Sequence, residues 1–292
     1  MVRWILGWLI LYNIKTLAAG AWYQEPQQIT STKNRGFSPE FVILKAGVFS
    51  TAGKLTLSPH TPNKKSKTPC INHSKSIAWI THRLSPTETL AEESGKVLGR
   101  EISQKIDTQC FSAIELDIEP LKKAEPWLES FLKGVKTNLN PDLKLRLAIP
   151  ILSPQTIDGQ FWSLRDGVSA FGWVDGLDVM AYDSGIKSSK EYGQLFKNTF
   201  FFVMELNRQS PEKKIIMGLP AYDDQTKLHR KETENLETVL AVLKPFTPFQ
   251  LKPYCANEIE FAYYAGWTLS AGDIEVHKQL EDWKNNVCKK SS

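Results

Sequence analysis

The chain has 292 residues, of which 41% are hydrophobic and 23% charged. That length suits one large core, is short for two well-filled domains with linkers, and together with this composition excludes global disorder. With 36 basic against 32 acidic side chains the net charge is only +4. This balance does not call for nucleic acid as a partner.

In chain order, Arg3 precedes an apolar stretch, Trp4–Ile14, and then Ala19-Gly-Ala21. This predicts a secretory signal peptide spanning 1–21 and cut after Ala21, with a retained N-terminal anchor as the alternative. The apolar stretch is too short for a comfortable transmembrane helix. Residues 22–40 are polar and are expected to be a lead-in segment, so the folded domain is expected over 41–292. Cys70, Cys110, Cys255 and Cys288 form no CxxC pair, which argues against a zinc or redox motif. In an exported chain they permit two disulfides in three connectivities, the alternative being free buried thiols.

Phe41–Phe49 is β-branched and aromatic and predicts a strand. A short strand is expected at Lys54–Leu57, a solvated loop over Pro59–Pro69, and a strand over Ser76–Ile80. From there the pattern alternates. Leu90, Val97, Leu98, Ile102 and Ile106 repeat at helical spacing, with Ser85-Pro86 as a start signal. Strands are expected at Phe111–Glu119, Leu143–Ile149, Val174–Tyr182, Lys214–Leu219 and within Glu258–Leu269. Helices are expected around 121–135, Phe161–Phe171, Tyr192–Leu206, Leu236–Leu243 and 273–287. Strands alternating with helices imply βα units and a parallel sheet. Eight strands fit a single-domain (β/α)₈ TIM barrel. A doubly wound open sheet also alternates, but no Gly-rich phosphate loop follows the first strand.

The strongest local feature is Glu115-Leu-Asp117-Ile-Glu119. On a strand the three acids share one face and Ile114, Leu116 and Ile118 the other. In a barrel the aliphatic set faces the helices and the acids face the lumen. Crowded, desolvated carboxylates are costly, but crowding raises one carboxyl's pKa so that it can give up a proton near neutral pH. Glu119 is the last residue before Pro120, at the strand end where barrels place their chemistry. The alternative is an antiparallel edge strand with a solvated acidic face.

Ser112-Ala-Ile-Glu115-Leu-Asp117-Ile-Glu119 resembles the D-G-x-D-x-D-x-E signature of family 18 glycoside hydrolases, the chitinase-like proteins. Met180-Ala-Tyr182-Asp183 is similar to that family's M-x-Y-D motif. Gly218-Leu-Pro220-Ala-Tyr222 resembles its strand-seven end, and Trp267 is matched to the aromatic that floors the sugar site. The resemblance covers roughly 76–270. Here Ser112 stands for the first Asp, Ala113 for Gly, and Glu115 for the next Asp.

The resemblance implies an exported glycosidase that cleaves β-linked N-acetylglucosamine-containing glycans, chitin- or peptidoglycan-like, with the substrate's own acetamido oxygen as nucleophile. Glu119 is the implied acid and base, and Asp117 the residue that orients the acetamido group. Tyr182 then holds its carbonyl, and Asp183 binds sugar. Trp267, Tyr222 and Glu115 are substrate-binding candidates. Trp79 and Arg146 are expected to be structural. His60, His73, His82, His229 and His277 show no metal-like spacing and are expected at the surface or in packing. No metal or cofactor is implied. The expected partner is an amino-sugar polymer, met by a monomer, without nucleic acid or, unless the N-terminal segment is retained, membrane. The substitutions at Ser112 and Glu115 motivate a second function class, a chitinase-like protein that binds glycans without cutting them.

Overall fold

One period-two pattern organises the molecule. In Phe41–Phe49, Val42, Leu44 and Ala46 join the large outer cluster, whereas Phe41 and Ile43 join a separate inner one. In Ala113–Glu119, Ile114, Leu116 and Ile118 belong to the outer cluster and Ala113 to the inner one. Each outward aliphatic side chain is at most 1% exposed, and burying a valine, leucine or isoleucine in this way contributes about 1.5–3 kcal/mol apiece. The lumen is therefore lined by the complementary set, and that set carries the acids.

The computed structural model describes residues 19–64, 70, 76–121, 125–150, 162–224, 226, 228–247, 250 and 259–289. Its elements in order are β1 (Ala19–Tyr23), α1 (Pro26–Asn34), β2 (Phe41–Phe49), β3 (Leu55–Leu57), β4 (Ser76–Arg83), α2 (Glu92–Lys105), β5 (Ala113–Glu119) and α3 (Pro126–Asn138). There follow β6 (Lys144–Ile149), α4 (Leu164–Ala170), β7 (Gly176–Met180), α5 (Ser189–Gln209), β8 (Lys214–Pro220), α6 (Leu236–Leu243), β9 (Glu260–Tyr264) and α7 (Ala271–Lys289). A 3₁₀ turn, Gly266–Thr268, separates the last two.

The sheet runs β1-β9-β8-β7-β6-β5-β4-β2 and closes through β1–β2, all pairs parallel. This is the expected closed eight-stranded barrel with helices outside it. β3 is not a barrel strand: it folds back antiparallel on β2. The eighth barrel strand is β1, which pairs Ala19 with Phe261 and Gly20 with Phe41.

The N-terminal expectations change accordingly. The stretch 22–40, read as an unfolded lead-in, supplies the end of β1 and all of α1. A cut after Ala21 falls inside β1. The small residues there have a packing cause. A Cβ on Gly20 would lie 2.1 Å from the Phe41 ring, and one on Gly266 would lie 2.6 Å from the Ala21 methyl. The apolar run Trp4–Ile14 lies outside the described residues.

Ser85-Pro86 starts a turn, not a helix. Glu88 accepts from the Ser85 backbone and hydroxyl, and α2 begins only at Glu92. Cys70 is bonded to Cys110, 40 residues on, with Cα atoms 4.9 Å apart. Cys288 is disulfide-bonded too, and Cys255 lies outside the described residues. No helix among the described residues is long and apolar enough to cross a membrane.

Candidate active site

The acids of β5 occupy three depths of the lumen. Glu115 is deepest, 1% exposed, and accepts from the indole N–H of Trp22 on β1 across the barrel at 2.9 Å. Burial, then the neighbouring Asp178 charge and a hydrogen bond with Asp178, push its carboxyl well above the usual range, against the pull of the Trp22 donor. Asp178, on β7, is fully buried and held by Arg146 of β6, whose Nε lies 2.9 Å from Oδ1 and 3.1 Å from Oδ2. A Cβ on Gly176 would sit 2.4 Å from the Arg146 guanidinium, so glycine makes room for the cation. Arg146 is thus structural, as expected. Glu115, expected to touch substrate, belongs to this lower layer and not to the mouth.

Asp117 lies one step up. Its Oδ2 accepts from the Trp79 indole at 2.9 Å, while Oδ1 is buried without a hydrogen-bond partner. Burial raises its pKa, with the Asp183 charge adding to the rise, and the Trp79 hydrogen bond and the Lys45 charge oppose this. Trp79 therefore does more than pack. Its register partner Lys45 on β2 puts Nζ 4.4 Å above the Trp79 ring and donates to Thr81 Oγ1 at 2.8 Å.

Glu119 ends the strand at the mouth. Its side chain is 46% exposed, and Oε2 lies 4.0 Å from the exposed Arg83. Desolvation, followed by the charges of Asp117 and Asp183, pushes its pKa up to about 7, with Arg83 and Lys45 pulling the other way. Asp117, Glu119 and Asp183 thus form one electrostatic unit.

The second motif reaches the same place. Tyr182 is 4% exposed and stacks on Tyr264, at the end of β9, with ring centroids 4.5 Å apart and planes 4° from parallel. Trp22 meets both rings edge-on, at 6.1 and 6.4 Å. Gly218 lies under this stack: a Cβ there would be 2.5 Å from the Tyr182 ring. Asp183 adopts φ 59°, the left-handed region that non-glycine residues rarely enter. Such strain persists where the surroundings fix it, as they often do at functional sites.

The aromatic at the strand-nine end is Tyr264, not Trp267. Trp267 lies in the following 3₁₀ turn and meets Tyr264 edge-on at 6.1 Å. Tyr222, just beyond β8, is buried, and its hydroxyl donates to Glu234, which also accepts from Ser184. It therefore braces the loop that follows β8 more than it faces the lumen.

That loop carries His229, expected at the surface or in packing. Its ring stacks on Tyr222 at 4.2 Å, with Nε2 3.0 Å from Asp183 Oδ1 and Nδ1 2.7 Å from Asp224 Oδ1. The two carboxylates, Asp183 foremost, raise the imidazole to about 9 against partial desolvation. No motif or spacing marks His229, and its partners Asp183 and Asp224 come together only in the fold. Lys45 left a faint signal, as one cation on the lumen face of an otherwise apolar strand. The other described histidines fit the expectation: His82 packs on Phe49, and His277 meets Tyr263.

No protein-family model matches the sequence, and no curated protein matches it. Solved structures do match by shape. A chitinase from Bacteroides thetaiotaomicron aligns over 92% of this chain and 96% of its own, at 14% identity and a TM-score of 0.58. The spore cortex-lytic enzyme SleL of Bacillus cereus aligns over 90% of this chain and 74% of its own, at 13% identity and 0.57. A xylanase and alpha-amylase inhibitor from Scadoxus multiflorus aligns over 94% of this chain and 98% of its own, at 11% identity and 0.50. The chain thus has the (β/α)₈ fold shared by GH18 chitinases and spore cortex-lytic enzymes.

Proposed function

We propose that this protein is an exported glycoside hydrolase that cleaves β-linked N-acetylglucosamine-containing glycans by substrate-assisted, retaining catalysis. The carrying observation is the pairing of two unlike carboxyls: Glu119, half-exposed and holding its proton up to about pH 7, and Asp117, buried with one oxygen unpartnered. A buried acceptor without a donor costs about 1–3 kcal/mol. An acetamido N–H entering the lumen supplies that donor. The acetamido oxygen then attacks the anomeric carbon, and the developing oxazolinium charge lies against Asp117. Glu119 protonates the departing glycosidic oxygen, and afterwards takes a proton from the water that opens the oxazolinium. Tyr182 supplies a hydroxyl for the acetamido carbonyl, with its ring held by Tyr264 and Gly218. Asp183 takes sugar hydroxyls, and Trp267 and Tyr264 offer apolar surface. The Cys70–Cys110 bridge supports export, since such bonds persist in oxidising compartments.

The deciding experiment compares Glu119→Gln with the parent on a reporter chitooligosaccharide. Gln keeps the size and loses the proton, and the expected loss is about 10²- to 10⁴-fold in rate. Equal rates would overturn the reading.

A second reading, glycan binding without cleavage, draws on Ser112 and Glu115. Ser112 donates to the Ser76 carbonyl at 3.3 Å, and Glu115 is consumed in the lower lumen, so neither supports the acid at the mouth. An inhibitor also shares the fold. Calorimetric binding with no product after long incubation selects this reading.

A further inference from the structure

The lumen's acids are not balanced evenly by cations. Arg146 is committed to Asp178 at the bottom. Arg83 beside Glu119 is 87% exposed, so solvent screens it. His229 is committed to Asp183 and Asp224. Lys45 remains as the half-buried cation at the middle depth. It lies on β2 in the lumen-facing set with Phe41 and Ile43, and the register partners Lys45–Trp79 and Thr81–Asp117 bring it alongside the β5 ladder. Its ammonium is fixed twice, by Thr81 Oγ1 at 2.8 Å and by the Trp79 ring at 4.4 Å. The same Trp79 gives its N–H to Asp117 at 2.9 Å. A cation over an indole face is attracted by the ring and polarises it, which makes the N–H a better donor. Lys45 therefore acts on Asp117 both directly and through Trp79.

We propose that Lys45 is the positioning residue that decides which acid of the ladder keeps the proton: with Trp79 and Thr81 it holds Asp117 ionised, and leaves Glu119 as the proton donor. The role rests on the glycosidase reading, where two neighbouring carboxyls must hold opposite protonation states. The neighbours of Lys45 permit this. Asp117 and Glu119 of β5 are the charges that act on it, opposing the desolvation that lowers its own pKa. Asp183 acts on the same two acids, and Arg83 on Glu119. β3 offers Leu55, Thr56 and Leu57, none of them ionisable, and on β1 the Tyr23 side chain belongs to the outer cluster.

The test reads the proton equilibrium itself. The Trp79 indole N–H is followed by ¹⁵N NMR against pH, and assigned by its loss in Trp79→Phe. Replacing the cation in Lys45→Met is expected to move the Asp117 inflection up by about one pH unit or more. Lys45→Arg keeps charge and ring contact, and is expected to restore the parent inflection. Thr81→Val keeps the charge but frees the ammonium, and is expected to give a smaller rise. An unmoved inflection in folded Lys45→Met overturns the proposal. If that variant does not fold, an unmoved inflection in Thr81→Val does so instead. These readouts need no turnover, so they separate failure of this assignment from failure of the glycosidase reading. If both hold, the pH optimum of kcat/KM in Lys45→Met shifts upward with the inflection.

Discussion

The lower lumen and the mouth both bury carboxylates, and they treat them in opposite ways. Below, Asp178 is gripped by Arg146, and Glu115 is capped by Trp22. Above, Asp117 keeps an unpartnered oxygen, Glu119 meets only a distant exposed arginine, and Asp183 sits in strained backbone. The lower layer carries its own buried cation, Arg146, although Glu115 Oε2 is, like Asp117 Oδ1, buried without a hydrogen-bond partner. In the upper layer Asp183 is paired with His229 of the following loop, while Glu119 is half-exposed at the mouth. The contrast teaches that neither a buried acid nor one unpartnered oxygen marks a site by itself, and that unlike neighbouring carboxyls open to the mouth do.

The largest expected effect breaks the lower layer. Arg146→Met strands the Asp178 charge, and should cost about 3–5 kcal/mol in denaturant unfolding. The corresponding change above, Glu119→Gln, should leave stability within about 0.5 kcal/mol while hydrolysis collapses. If both variants lose stability alike, the two layers do not differ as argued. Tyr222→Phe sits between them. It takes one donor from buried Glu234, and should cost about 1–3 kcal/mol.

Smaller effects come from pH. On the proposed mechanism the acid must hold its proton, so the kcat/KM profile should fall as pH rises through about 7, where Glu119 loses it. The fold favours that proton, so Glu119 should weaken stability slightly as pH climbs from its ordinary 4.5 towards about 7. His229 has a raised pKa and is a cation. Its stabilisation is complete below about 6.5 and is lost as pH rises through about 9. An imidazole NMR titration should show that midpoint near 9, and Asp224→Asn should lower it.

Much of this was legible in the sequence, because period-two patterns are local. Glu115, Asp117 and Glu119 were placed in the lumen by alternation alone, and the parallel barrel followed from the βα rhythm. Eight strands are expected and eight close the barrel, but one expected member differs from the one observed. Leu55–Leu57 has the look of a strand and pairs antiparallel on β2, whereas the apolar Ala19–Tyr23 follows a leader-like run and resembles a cleavage site. Gly20 packs under the Phe41 ring and Ala21 against Gly266, which only tertiary packing reveals. The site divides likewise. Tyr182 and Asp183 were carried by a contiguous motif. The motif match picks out Trp267, whereas the residue that ends β9 is Tyr264, three positions earlier, because a strand end is not fixed by local pattern. His229 and Lys45 act through partners far away in the chain.

Ala19 lies beside Phe261 in the closed barrel. Among the described strands that seam is the pairing most distant in sequence, and closing so long a loop carries a large entropic cost. During synthesis β1 emerges first and waits for β9, so the sheet remains open, with two unpaired edges, until the last strand is available. Non-local pairings of this kind are the slow ones in folding. Trp22, one residue past the run paired with β9, lies against Ile43 of β2 and crosses to Glu115, so β1 ties the closure of the barrel to the floor of the lumen.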